Sequence, residues 1–156
     1  MAEFTFNPVQ RVEPGQNVIL NDNIPCNRGY VLHRNESGIV ILRGIVNGYG
    51  CFARYQVTFN GNIAVPDDQA VGPISIALAI DGEPVQTSRA IVTPEAPATD
   101  PVTAENFFNV TSTAIVTVPK GCCFTVAVEN TSAGLDGGVA PAILVQNANM
   151  TVSRIA

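Results

Sequence analysis

The feature that most constrains this chain is the recurrence of short runs of β-branched residues, each closed by Gly, Pro, Asn or Asp. The clearest run covers residues 74–80, where Ile and Leu alternate with Ser and Ala. No window of a dozen residues carries apolar positions at helical spacing without Gly, Pro or β-branched crowding. The 13 Gly and 11 Pro fall between the runs. This pattern predicts an all-β, two-sheet antiparallel sandwich of about eight to ten strands.

Residues 51–59 alternate between apolar and polar side chains, as a half-buried antiparallel strand requires. The following Asn60-Gly61 pair predicts a hairpin, because a type I′ turn needs two residues at positive φ. Asp81-Gly82 predicts a second turn, after the run at 74–80. Further strands are predicted at residues 18–20, 30–33, 39–42, 62–65, 89–93, 107–118, 122–130, 142–145 and 150–155, with turns at 21–23 and 35–38 and a proline-rich surface loop at 94–101.

The chain length of 156 residues suits a single domain with a sizeable core. Residues 17–156 are predicted to form that domain. Residues 1–16 contain Pro8 and Pro14 and are predicted to be an extended N-terminal arm. No internal repeat divides the chain further.

The scarcity of charge predicts an oligomer. Only 13% of the residues are charged while 46% are hydrophobic, which leaves too little charge for the surface of an ordinary soluble monomer. The net charge is −5 and no basic run occurs, which argues against nucleic acid as a partner. The apolar runs are far shorter than the roughly 20 residues of a membrane helix. The start of the sequence lacks the pattern of a secretory signal, so synthesis in a cytoplasm is expected.

The residues available for catalysis are few, and the chain is predicted not to be an enzyme. His33 is the single histidine, so a nucleophile–histidine arrangement has only one candidate base, and an edge or surface position is expected for it. Acidic pairs at Asp67-Asp68 and Asp81-Gly82-Glu83 lie at strand ends without the spacing of an EF-hand. No cofactor and no metal are therefore expected. Glycosylation-type triplets at Asn35, Asn109, Asn130 and Asn149 are interpreted as turn and strand composition.

The four cysteines, Cys26, Cys51, Cys122 and Cys123, show no zinc-binding spacing. The favoured interpretation is small, buried thiols in a reducing compartment. A disulfide between Cys26 and Cys51 is the alternative.

Four segments resemble the C1q/TNF-like jelly-roll family, and are most similar to its bacterial branch, exemplified by the C-terminal domain of the spore-surface glycoprotein BclA. These segments are residues 52–59, 76–85, 124–132 and 147–156, which read FARYQVTF, IALAIDGEPV, FTVAVENTS and NANMTVSRIA. The resemblance implies a ten-stranded sandwich that forms a tight threefold homotrimer. It also implies aromatic residues near the axis, for which Tyr55, Phe59 and Phe124 are the candidates; burial in the core of one chain is the alternative for all three.

The chain lacks the collagen-like stalk of the BclA proteins. In its place the N-terminal arm, through Phe4, Phe6, Pro8, Val12 and Pro14, is predicted to dock on another protein by adding β-type hydrogen bonds. A small trimer with a docking arm resembles the capsid-decoration and head-fibre proteins of bacteriophages.

The leading functional hypothesis is a structural virion protein that is made in the bacterial cytoplasm and sits on the virion surface. Its expected partners are its own copies and the major capsid protein or another virion protein. A second hypothesis is a fibre tip that binds a receptor or a host-surface glycan through the loops around Tyr49 and Asp136. A third is a spore or cell-surface coat protein, and an enzyme ranks last.

Overall fold

The computed structural model describes residues 1–24, 29–34, 36–94, 106–134 and 137–156. The strands are, in chain order, β1 (Ala2–Phe6), β2 (Gln10–Val12), β3 (Asp22–Ile24), β4 (Val31–His33), β5 (Val40–Arg43), β6 (Phe52–Ala64), β7 (Ile74–Ile80), β8 (Glu83–Pro84), β9 (Ala90–Val92), β10 (Phe108–Pro119), β11 (Cys123–Asn130) and β12 (Ile143–Arg154). A short 3-10 helix, Gln86–Ser88, lies between β8 and β9. Within the described ranges, no helix is long and apolar enough to cross a membrane.

The strands form two antiparallel sheets. The first sheet has the order β10-β6-β12-β1-β3, with β2 also paired to β12. The second has the order β4-β5-β11-β7-β8, with β9 also paired to β7. The prediction of an all-β, two-sheet antiparallel sandwich is therefore confirmed. The strands beyond the expected eight to ten are short ladders of two or three residues, such as β2, β3 and β8, which sequence alternation cannot reveal.

The core lies between the sheets, because each long strand turns its apolar side chains inward. In β6 the burial alternates along the strand as the sequence predicted. In β7 both faces are buried, and the small Ser75, Ala77 and Ala79 are at most 2% exposed. The largest fully buried side chains are Tyr55, Phe59, Leu20, Leu42, Ile63, Ile74, Ile76, Leu78, Ile143 and Met150.

The turn at Asp81-Gly82 is confirmed, whereas the hairpin at Asn60-Gly61 is wrong. Asp81 and Gly82 have φ of 50° and 83°, and they join β7 to β8. Gly61 instead lies inside β6, paired with Val110 of β10. A Cβ on Gly61 would come within 2.8 Å of Cζ of Phe59. The glycine is thus needed for close packing of a core ring, and not for a turn.

Two further strand predictions are wrong in their boundaries. Residues 18–20 form no regular ladder, although Val18 and Leu20 are fully buried and the Val18 N–H donates to the Val128 carbonyl at 2.8 Å. The predicted turn at 21–23 falls largely in β3. At the other end of the chain, the two predicted strands at 142–145 and 150–155 are one continuous strand, β12. A register shift interrupts it near Asn147, whose φ is 52°.

The prediction of a separate docking arm over residues 1–16 is wrong, because this segment belongs to the first sheet. Strand β1 pairs with both β12 and β3, and β2 pairs with β12. Phe4 and Val12 are each 2% exposed and lie in the core, and Phe6 packs against it. Pro8 and Pro14 are exposed. The alternating apolar residues of this segment are removed from water by packing against the chain's own sheet. They are therefore not available to a partner.

The cysteine prediction is wrong for the three cysteines that the structure describes. Cys51, Cys122 and Cys123 carry exposed, free thiols. They fall at strand ends, where the chain leaves the sandwich. Cys26, Asn35 and almost all of the predicted loop at 94–101 lie outside the described residues.

Candidate interaction surface

The most distinctive surface is the outer side of the first sheet, where β10, β6 and β12 lie side by side. Its side chains line up in rows across the strands, as in the row Thr113, Thr58 and Thr151. No side chain on this part of the sheet is ionisable, whereas Arg54 and Glu3 lie at its borders. We call this surface the uncharged face, and it consists of Asn109, Thr111, Thr113, Ile115, Gln56, Thr58, Asn60, Asn62, Gln146, Asn149, Thr151 and Ser153.

Six of the eleven polar side chains of the uncharged face bond to one another. The hydroxyl oxygens of Thr58 and Thr113 are 3.2 Å apart, and Nδ2 of Asn60 donates to Oγ1 of Thr111 at 2.9 Å. Nδ2 of Asn109 donates to Oδ1 of Asn60 at 3.1 Å and to Oδ1 of Asn62 at 3.0 Å. Because these six groups satisfy part of one another's hydrogen-bonding capacity, covering them removes fewer hydrogen bonds to water, and no side chain of the face itself is charged.

Within the described residues, no strand pairs with the outer edge of β10, which borders this face. Strand β10 ends the order of the first sheet, and it runs for 12 residues without an internal proline or any charged residue. Natural edge strands are usually blunted by charge, by proline or by shortness. Ile115, which is 63% exposed, adds an apolar side chain near this edge.

The sequence contains a pattern that indicates this face, but the pattern is not visible when each strand is considered separately. No Asp, Glu, Lys or Arg occurs in residues 55–66, 106–119 or 137–153. Each gap in charge appears unremarkable alone, since a single strand can lack charge. The uncharged face can be recognised only when the sheet order places these three segments next to one another.

The three residues predicted for the trimer interface do not lie on the uncharged face. Tyr55 and Phe59 are 0% exposed and point between the sheets, so their assignment to an interface is wrong. Alternation along β6 places them opposite to Gln56 and Thr58. Phe124 is partly buried in β11 of the second sheet and packs against the core. The alternative assignment, burial within one chain, describes all three.

The two loops predicted to carry a glycan site do not form one site. Tyr49 is fully exposed in the loop between β5 and β6. Asp136 lies outside the described residues, and its neighbours Gly134 and Gly138 lie at the opposite end of the sandwich. There they line a shallow depression of about 330 Å³ with Asp68, Gln69, Ala70, Gly72, Pro73, Ala133, Val139 and Pro141.

The carboxylate in this depression is already engaged. Nη1 of Arg11 donates to both oxygens of Asp68, at 2.9 and 3.0 Å, and Nε of Arg11 donates to Glu13 at 2.8 Å. The hydrogen bond from Arg11 lowers the pKa of Asp68. Since these groups are exposed, the pair contributes little to stability, and its main effect is to tie β2 to the loop after β6.

His33 lies on the edge strand β4, as expected, but its ring nitrogens are buried. The ring packs against Phe4, with the ring centroids 4.9 Å apart. Among the described residues, neither nitrogen has a hydrogen-bond partner of ordinary geometry. Burial therefore lowers the pKa of His33, and the nearby Leu20 backbone offsets only part of this effect. Elsewhere in the described part of the chain, no three His, Cys, Asp or Glu side chains come together as metal ligands.

This environment predicts loss of stability in mild acid. With its folded pKa lowered, His33 takes up a proton more readily in the unfolded chain, so stability falls as the pH drops below the unfolded pKa of about 6.5. We expect the free energy of unfolding, measured with urea at several pH values between about 7.5 and 5.5, to fall more for the native chain than for His33→Gln. Glu129, whose pKa is raised by burial and by Glu83, is present in both proteins and cancels in the difference. Equal losses would contradict the prediction.

The chain has a two-sheet antiparallel jelly-roll fold like that of C1q and TNF domains. The structure is similar to the globular domain of the zebrafish complement 1qA protein, with a TM-score of 0.56 and 14% identity over 96% of this chain and 94% of that one. It is also similar to the Eiger TNF of S. frugiperda, with a TM-score of 0.56 and 13% identity over 100% of this chain and 92% of that one. No protein-family model matches the sequence, and no curated protein matches it.

Proposed function

We propose that this chain is a structural protein that forms a homotrimer and is displayed on the outside of a bacteriophage particle. The role is mechanical: the trimer covers and reinforces a protein shell. The phage setting rests on the resemblance of a small, cytoplasm-made jelly roll to capsid-decoration and head-fibre proteins.

The observation that carries the trimer is the uncharged face. Three strands spaced about 4.8 Å apart, each rising about 3.3 Å per residue, make a surface of roughly 15 by 25 Å. That area is about half of the roughly 800 Å² that each partner buries in a standard interface, so the rest of the interface has to come from surface beside this face. Three copies related by a threefold axis can each bury this face in a ring that closes on itself. Burial of this face is consistent with a chain in which only 13% of the residues are charged.

The trimer is tested by the native mass in solution. At micromolar concentration we expect about three times 16.4 kDa by light scattering or native mass spectrometry. Thr58→Lys places a charge in the middle of the uncharged face, and we expect it to shift the mass to 16.4 kDa, because a buried, unpaired ammonium costs several kcal/mol. The matched control is Leu32→Lys, at a 45% exposed position on the outer side of the second sheet, which should leave the trimer intact.

Two results would contradict a trimer formed through the uncharged face. One is a native mass of 16.4 kDa for the unaltered chain. The other is a Thr58→Lys variant that stays trimeric while folding normally. Thermal unfolding of each variant separates loss of assembly from loss of the fold.

The particle is tested separately, by searching purified virions for this chain with mass spectrometry and by labelling it for electron microscopy. We expect the label on the outer surface of the capsid. Because β1 and β2 belong to the sandwich, attachment has to use exposed loops, and cross-linking in intact particles would identify them. Absence of the chain from virions would end the phage proposal and leave the trimer standing.

A further inference from the structure

One end of the sandwich gathers four cations from separate parts of the sequence. Arg43, Arg54, Lys120 and Arg154 lie where β5, β6, β10 and β12 begin or end. Backbone bonds hold these segments together: Arg43 N–H donates to Tyr30, Lys120 N–H to Cys51 and Arg54 N–H to Ala156, each at 2.9 Å. We call these four cations and the rings beside them the basic end.

Among the described residues, the ion pairs found are those of Arg11 with Glu13 and Asp68, so no Asp or Glu side chain pairs with the cations of the basic end. The oxygen of Ala156, the last residue, accepts from Nε of Arg154 at 3.2 Å. Asp81, the carboxylate that follows β7, accepts instead from the N–H and the hydroxyl of Thr125, at 2.7 and 3.0 Å. Four cations without an Asp or Glu partner among the described residues, on one end of a chain with net charge −5, form a local positive field.

Most hydrogen-bond donors of these cations are left for solvent. Nη1 of Arg43 donates to the Gly29 carbonyl at 3.2 Å, and Nε of Arg154 donates to Ala156 at 3.2 Å. Nζ of Lys120 donates to Gly48 at 3.1 Å. A guanidinium carries five N–H donors and an ammonium three, so each of these groups can still bind an anion.

Aromatic rings hold two of the guanidinium groups in place. The guanidinium carbon of Arg154 lies 4.4 Å from the ring centre of Tyr30, and that of Arg54 lies 4.9 Å from the ring centre of Phe52. Stacking in this way orients the planar group and leaves its edge free for bidentate pairing with a carboxylate. Tyr49, whose side chain is fully exposed, adds an uncovered ring in the loop that Lys120 contacts.

We propose that the basic end binds a carboxylated polysaccharide, meaning a chain of uronic-acid or similar acidic sugars. Guanidinium forks pair with carboxylates bidentately. The exposed ring of Tyr49 offers an apolar surface to the C–H face of a pyranose, and the remaining donors suit its hydroxyl groups. This proposal concerns the single chain and does not depend on the trimer.

An acidic protein or a nucleic acid suits the basic end less well. A protein partner usually inserts apolar side chains into desolvated pockets of the protein that it binds. The depression described above lies at the opposite end of the sandwich from the basic end. A binder of phosphate backbones needs a continuous basic surface, which a chain of net charge −5 does not favour.

The test is calorimetric titration with an oligogalacturonate at about 0.05 M salt, where exposed charges are only weakly screened. Its methyl ester is the matched ligand, because it keeps the sugar chain and removes the charge. We expect binding of the acid with a Kd below about 1 mM and none of the ester. In the double variant Arg54→Gln, Lys120→Gln, affinity should fall at least about tenfold, the effect of one lost charge-assisted hydrogen bond.

The matched control variant is Arg34→Gln. Arg34 is exposed, makes no ion pair within the described part of the chain and lies at the other end of β4, so its loss should change affinity less than about twofold. The proposal is overturned if the acid does not bind, if the ester binds equally, if single-stranded poly(dT) binds as tightly, or if Arg34→Gln weakens binding as much as the double variant. Unchanged thermal unfolding confirms that each variant is folded.

Discussion

Replacement of Asn130 by alanine is expected to lower the free energy of unfolding by about 3–5 kcal/mol, because it leaves three buried backbone groups without partners. Asn130 is 1% exposed. Its Nδ2 donates to the carbonyls of Val12 and Pro141, each at 3.0 Å, and its Oδ1 accepts from the Ser132 N–H at 3.0 Å. One side chain thus joins β2, the start of β12 and the loop after β11.

The matched control is Asn109→Ala, and the free energy of unfolding of both variants is measured with urea. Asn109 also begins a glycosylation-type triplet and bonds to other side chains, but it is exposed, so water can replace its partners and the loss should stay below about 1 kcal/mol. Hydrogen exchange adds a local readout: amide protection of β2 should fall more in Asn130→Ala than in Asn109→Ala. Similar losses for the two variants would mean that the buried network does not stabilise the end of the sandwich.

Replacement of Phe59 by alanine is expected to cost about 3–5 kcal/mol in the free energy of unfolding, the usual effect of removing a buried ring. Phe59 is 0% exposed, and its ring lies against the Cα of Gly61, which has no side chain to fill the resulting cavity. The expected loss belongs to the single chain and does not depend on protein concentration.

Phe52→Ala provides the comparison, since Phe52 lies on the same strand but is 42% exposed and faces outward. We expect it to cost less than about 1 kcal/mol. If Phe59 were an interface residue, its alanine variant would change the native mass at little cost to the folded subunit. Chemical unfolding at two protein concentrations, read together with the native mass, distinguishes these outcomes.

Local sequence patterns predicted correctly the strands and turns that depend only on residues close together in the chain. The alternation in β6, the run of Ile and Leu alternating with Ser and Ala in β7, and the turn at Asp81-Gly82 all appear in the structure. Each depends on neighbours within a few residues, because side chains alternate along a strand and a type I′ turn needs two residues at positive φ.

The Asn60-Gly61 pair is an example in which the local sequence pattern predicts the wrong structure. The pair has the composition of a turn, but β10 and β12 flank it on both sides and supply ladder partners for the extended strand. The N-terminal segment fails for a similar reason. Its prolines indicated a free arm, yet Phe4 and Val12 find a place in the core once β12 lies beside them.

The sequence by itself determined that the chain is all-β, which side of each long strand is apolar, and that charge is scarce. These properties follow from side-chain chemistry and the two-residue repeat of a strand. Only the tertiary structure decided which strands become neighbours, because pairing joins residues far apart in the chain. That choice brings three charge-free segments into one face and four cations to one end, and both proposals depend on it.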